Sequence, residues 1–196
     1  MRNIQNCKKY PALPPTKYVP VSYSPVLTRI KQPSENDKKY DILFYGSDCP
    51  RRHALIQRLR HEGLRVYYST YKCWDYERDQ KIAESKIVLN IHFYPKPILE
   101  TTRLSYLIAN GAFIISERSL DPLLDREYQD YVVFCEYDQI PEMCKKYLNC
   151  PDERRQKAIQ AFDRFKERTY HKVIPLQTYR FGKGIYLTNK EKNLTC

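Results

Sequence analysis

From Tyr40 onward the chain alternates short, consecutively apolar runs with longer charge-rich stretches, and this alternation restricts the fold more than any other feature. The runs are Tyr40-Asp-Ile-Leu-Phe-Tyr45, Leu64 to Ser69, Lys86-Ile-Val-Leu-Asn-Ile-His92, Ala112-Phe-Ile-Ile-Ser116 and Tyr131-Val-Val-Phe-Cys135. A strand that is apolar at neighbouring positions must be covered on both faces, as strands of a parallel sheet are. Helical patterns span 50–62, 76–85 and 98–110, with two more near 140–148 and 152–168. Gly63 and Gly111 stand where the first and third of these end, the usual place for a glycine C-cap. The pattern predicts an α/β, Rossmann-like domain over 40–170: a parallel sheet of about five strands with helices on both faces. The strands fall near 41–45, 65–69, 86–92, 112–116 and 131–135.

The flanks have a different composition. Residues 1–39 carry six prolines and read as a basic arm or linker, with one stretch, Tyr18 to Tyr23, able to add a sheet edge. Residues 171–196 read as a basic tail. Eight basic against two acidic residues in 1–39, and six against one in 168–196, account for the whole net charge of +11, so the central part is neutral. Nucleic acid is therefore an unlikely partner, since a phosphate-tracking groove would have to be built from the two flanks. In that reading Tyr10, Tyr18, Tyr23, Tyr179 and Tyr186 would be the stacking residues.

The seven cysteines form no Cys-x-x-Cys pair and no cluster at zinc spacing, which predicts reduced, structural thiols. No run of about 18 apolar residues offers a membrane span, and the start lacks the apolar stretch of a signal peptide. We expect a cytoplasmic protein.

In doubly wound sheets, ligands bind at the carboxyl ends of strands, so three segments merit attention. Gly46-Ser47-Asp48-Cys49-Pro50-Arg51-Arg52 is a turn entering a helix; free helix N–H groups with Arg51 and Arg52 suit phosphate oxygens. The plainer alternative is that Gly46 permits the turn, Ser47 or Asp48 caps the helix and the arginines are solvated. Its single glycine matches neither a dinucleotide fingerprint nor a Walker loop. The second segment, Asn90 to Tyr94, brings Asn90, His92 and Tyr94 to a strand end. They suit a base or sugar edge, and His92 suits equally a hydrogen-bonded structural role. In the third, Glu100 and Arg103 are either an exposed i, i+3 pair or a hydroxyl acceptor and a diphosphate ligand.

Taken in order, Asp41 to Ser47 with Arg51 and Arg52, Ala83 to His92, and Glu100 to Leu104 continuing through Asn110 to Glu117 resemble the C-terminal half of GT-B glycosyltransferases. The likeness is to the spore-maturation-type glycosyltransferase-like group and covers roughly residues 18–167. It implies a donor domain for a nucleotide-diphosphate sugar, with Gly46, Ser47, Glu100 and Arg103 lining the site and no bound metal or other cofactor. The sequence offers no Asp-x-Asp pair for a metal ion.

Relatives often carry a ribose-holding glutamate where this chain has Ser105 and Tyr106, leaving Glu100 or Glu117 to replace that contact. The resemblance also implies an acceptor-binding domain ahead of this one, so that a separate domain or protein completes this chain, or it is a fragment, or it no longer catalyses. The rival expectation is a non-catalytic, Rossmann-like protein-interaction module.

Overall fold

A computed structural model describes residues 18–70, 73–94 and 97–170, together with the backbone of 179–181 and 184–186. The expected arm before Tyr18 and most of the basic tail lie outside the described residues, as do Tyr10 and the side chains of Tyr179 and Tyr186.

Five parallel strands form one sheet: β1 (Tyr40–Tyr45), β2 (Val66–Ser69), β3 (Ser85–Asn90), β4 (Ile114–Glu117) and β5 (Val133–Cys135), in the order β2-β1-β3-β4-β5. The sequence placed the same five runs in a parallel sheet. Register is fixed by pairs such as Ile42 with Val66 and Ile87, and Leu89 with Ile115. The helices α1 (Pro50–His61), α2 (Asp75–Ala83), α3 (Thr101–Ala109), α4 (Pro122–Tyr128), α5 (Ile140–Asn149) and α6 (Pro151–Lys166) cover the two faces. Backbone at 179–181 and 184–186 makes a separate antiparallel pair.

Alternation along β1 explains its unbroken apolar character. Ile42 and Phe44 pack with Leu55, Ile56 and Leu59 of α1 and with Ile140 and Cys144 of α5. Leu43 faces the opposite layer, with Ile82 of α2, Leu104, Leu107 and Ile108 of α3, Tyr128 of α4 and Phe165 of α6. At about 25 cal/mol per Å² of apolar area, each such side chain contributes roughly 1.5–3 kcal/mol on burial. Gly111, at φ 67°, takes the left-handed turn that ends α3 before β4.

Local expectations needed three corrections. Helix α4 has no counterpart among the sequence-read elements, although Asp121 followed by Pro122 is a cap signal. The Asp121 carboxylate accepts from the Leu123 and Leu124 amides at 3.2 Å each. The expected cap of α1 by Ser47 or Asp48 is absent: Cys49 is the N-cap, makes no side-chain cap bond, and is followed by Pro50 at N1. The expected edge strand over Tyr18–Tyr23 reduces to one parallel bridge between Tyr23 and Thr169. Pro20 within the run supplies no amide donor for a longer ladder.

Residues 18–39 nevertheless pack on the domain. The Tyr23 ring meets Phe162 and Phe165 edge-on at 6.2 and 6.0 Å. The Asn110 side chain binds the segment with three hydrogen bonds, Oδ1 accepting from the Arg29 and Ile30 amides and Nδ2 donating to the Leu27 carbonyl, while Nδ2 also donates to the Tyr106 carbonyl of its own helix.

After β1 the chain moves to β2 on one side of the sheet, and after β3 to β4 on the other. The sheet therefore changes winding direction between β1 and β3, which opens a crevice at the carboxyl ends of these two strands.

Candidate functional site

Two adjoining cavities occupy that crevice, and Gly46, Ser47, Glu100 and Arg103 line both. The smaller, about 310 Å³, is completed by Arg52, Phe93 and Tyr94. The larger, about 740 Å³, lies over the ends of β1 and β2 and extends between the first turns of α2 and α3.

Gly46 sits at the junction with φ 140°, a backbone conformation that favours glycine. A Cβ there would lie 3.4 Å from Arg103 Nη1 and 3.7 Å from Arg52 Nη1. The main chain thus passes directly beside two guanidinium groups. Both are held by the backbone. Arg52, 3% exposed, donates from Nε and Nη2 to the Ile91 carbonyl at 3.0 and 2.5 Å, and from Nη1 to the Ser47 carbonyl at 2.7 Å. It also stacks over Phe44 and Phe93. Arg103 donates from Nη2 to the Tyr45 carbonyl, and its guanidinium lies 4.1 Å from the Tyr45 ring centre. Its buried Nε has no hydrogen-bond partner among the described residues.

Glu100 stands between them, Oε1 at 3.5 Å from Arg52 Nη2 and Oε2 at 3.3 Å from Arg103 Nη1. Burial pulls the Arg52 pKa down from the usual arginine value; the Glu100 charge opposes this and the Arg103 charge adds to it. Glu100 is also the N-cap residue of α3 and makes no side-chain cap bond, so Arg103 occupies the helix's first turn. The amides of that turn have no partner within the helix; that of Thr101 donates to the Leu99 carbonyl at 2.9 Å, and the rest, together with two arginines, favour an anion.

The larger cavity adds residues that the sequence reading did not single out: Cys73, Trp74, Arg78, Leu99 and, as a lining residue, Tyr106. Trp74 is 72% exposed. Arg78 stacks 4.3 Å over the Tyr106 ring and pairs with Asp79 at 3.0 Å, while the Tyr106 hydroxyl donates to the same carboxylate at 2.5 Å. Burial pushes the Cys73 thiol and the Tyr45 phenol upward, leaving both neutral near pH 7. Trp74 and Cys73 follow β2, so the rule that strand ends carry function points to them.

The other expected residues lie beside the crevice. Arg51 turns away from it and forms a bidentate pair with Glu117, at 2.8 and 2.6 Å, while donating to the His92 carbonyl at 2.8 Å. Hydrogen bonding to Glu117 raises the Arg51 pKa further. Glu117 also accepts from the His92 amide at 3.0 Å. The His92 ring is buried, with Nε2 at 3.1 Å from the Glu117 carbonyl, which is the structural role the sequence left open. Asn90 is fully buried and donates to Ser116 Oγ at 3.0 Å. Neither arginine of the Gly46–Arg52 turn is a solvated surface group.

No group of three or more His, Cys, Asp or Glu side chains among the described residues is placed to hold a metal ion, and none of their helices is long and apolar enough to cross a membrane.

A doubly wound sheet with its crevice at the switch point defines a Rossmann-like α/β domain. Within that class, the chain belongs to the glycosyl transferase-like family, which matches residues 34–174. This bears out the glycosyltransferase resemblance of the three segments.

Two relatives from Acanthamoeba polyphaga mimivirus are Uncharacterized protein L137, 31% identical over 71% of this chain, and Uncharacterized protein L140, 29% identical over 69%. The matched part is 19% of the former and 46% of the latter, so the chain spans less than half of either. Among solved structures, TarM aligns with 75% of this chain and 35% of its own at a TM-score of 0.46 and 8% identity. AviGT4, a glycosyltransferase involved in avilamycin A biosynthesis, aligns with 76% and 54% at a TM-score of 0.45 and 18% identity.

Proposed function

We propose that this domain binds the donor of a glycosyl transfer, a nucleotide-diphosphate sugar, as one half of a GT-B-type enzyme. The observation that carries the reading is the placement of Gly46 against the Arg52 and Arg103 guanidiniums at the start of α3. The missing side chain lets a diphosphate approach the main chain, and the two cations with the α3 amides face its oxygens.

During glycosyl transfer the bond between the sugar and the diphosphate breaks, and negative charge accumulates on the departing phosphate oxygen. Two arginines already fixed by carbonyl hydrogen bonds meet that charge with little reorganisation. They supply the neutralising charge that a metal ion supplies in other sugar-transfer sites. The larger cavity, with Tyr45, Trp74 and Tyr106, suits a flat base and its ribose; the smaller, beside Tyr94, suits the sugar. Arg51 and Glu117 act one layer back, holding the loop that carries Phe93 and Tyr94.

The acceptor is supplied by a second domain or protein. Trp74, Tyr76, Tyr94 and Ile98, all well exposed, follow β2 and β3 around the crevice and offer that partner an apolar rim. The same rim favours the second reading, a protein-interaction module without catalysis. Calorimetric titration with nucleoside diphosphates and their sugars separates the two. The donor reading expects saturable binding that is weakened in Arg103→Ala; no binding at millimolar ligand leaves the interaction module.

A further inference from the structure

On the donor-site reading just given, we infer that Glu100 is a resident counter-anion: its carboxylate holds the position between Arg52 and Arg103 that a phosphate group of the ligand takes, and ligand entry requires its displacement. The two carboxylate oxygens each face a different guanidinium, at 3.5 and 3.3 Å. A phosphate group presents two oxygens with similar spacing, so both anions compete for the same pair of cations.

The three side chains differ in how firmly they are held. The Arg52 and Arg103 side chains are 4% and 13% exposed, and both are tied to main-chain carbonyls. The Glu100 side chain is 39% exposed, and its contacts with the two arginines are long. Glu100 also lies outside the helix, at φ −80° and ψ 67°, and its side chain does not cap α3. The cations are therefore fixed and the carboxylate is the movable member.

Two neighbouring buried cations repel, and a resident carboxylate relieves that repulsion in the absence of any ligand. Being tethered, it acts at high effective concentration and excludes weak anions. A diphosphate overcomes it by adding contacts to the amides in the first turn of α3 that have no partner within the helix. Once displaced from the arginines, the Glu100 carboxylate is free to accept a hydrogen bond from a hydroxyl of the donor.

Inorganic pyrophosphate, which has no sugar hydroxyls, isolates the competition. Titration calorimetry on the full chain is expected to show Glu100→Gln and Glu100→Ala binding pyrophosphate about tenfold tighter than wild type or better. Melting curves establish that each variant is folded, and one folded variant suffices. Equal or weaker binding in the variants, with wild-type binding intact, would mean that Glu100 positions the arginines rather than competing for them; it overturns the inference and leaves the donor reading standing. Absence of pyrophosphate binding in all three proteins also overturns it, and a nucleoside diphosphate titration on wild type then tests the donor reading separately.

Discussion

Gly46 and Arg103 meet so closely that a methyl group on the glycine would stand 3.4 Å from Nη1 of the arginine. They lie 57 positions apart in sequence, yet both line the two cavities of the crevice, where the loop after β1 faces the first turn of α3. Glycine is required for its positive φ, and a side chain there would come into contact with both guanidiniums.

Gly46→Ala is accordingly expected to lose about 1–3 kcal/mol of stability from backbone strain. On the donor reading it should also weaken nucleoside diphosphate binding, because the methyl group fills space beside the two guanidiniums that the phosphates would use. Urea denaturation and calorimetry on the same preparations check both effects. Unchanged stability would show that the loop relaxes freely.

Arg103→Ala is expected to weaken a nucleoside diphosphate by about 1.5–3 kcal/mol, the range for hydrogen bonds to charged groups. Arg103→Lys should recover only part of this, since an ammonium keeps the charge but loses the planar fork. The order wild type, Lys, Ala in affinity is the outcome to be measured. Stability should fall as well, because the arginine is largely buried and bonds the Tyr45 carbonyl.

Glu117→Ala removes the acceptor of both Arg51 and the His92 amide and leaves Arg51 without its carboxylate. A loss of about 2–4 kcal/mol is expected, somewhat below the value for a fully buried pair because Arg51 is partly exposed. Hydrogen exchange should accelerate at 92–94, the loop this pair holds. A stable variant with unaltered exchange would contradict the assigned role.

Acid stability rests partly on Asp41. Burial raises its pKa, but hydrogen bonds from Arg65 and from Lys86 outweigh that and lower it to about 2. A carboxylate depressed in the folded state stabilises above its unfolded pKa of about 3.9, and the gain disappears as pH falls through the folded value. Screening by solvent at exposed Arg65 limits the gain to about 1 kcal/mol. Asp41→Asn should therefore be less stable than wild type at pH 6, with the difference shrinking below pH 4 and closing below pH 2, as urea midpoints across this range will show.

The sequence by itself determined the layers of this protein. Ile42, Leu43 and Phe44 in succession, in a short run bounded by turn residues and repeated between helical stretches, fit strands covered on both faces, and Gly63 and Gly111 mark helix ends through their backbone freedom. Because parallel strands gather their carboxyl ends on one side, the residues after β1 and β3 were also legible as the region of the site, and Gly46, Ser47, Tyr94, Glu100 and Arg103 are found there.

The tertiary structure alone decided which side chains face the crevice. Arg51 and Arg52 are neighbours on one helix, yet one turns to Glu117 on β4 and the other beneath Gly46. Asn90 and His92 sit at a strand end and are nevertheless buried, and Trp74 and Arg78 join the site from a different connection. Periodicity reports the hydrogen-bonding geometry of a single segment and the face it buries. The partner of a charged side chain is set by strand order, register and the packing of distant segments, and none of these is encoded in the spacing of nearby residues.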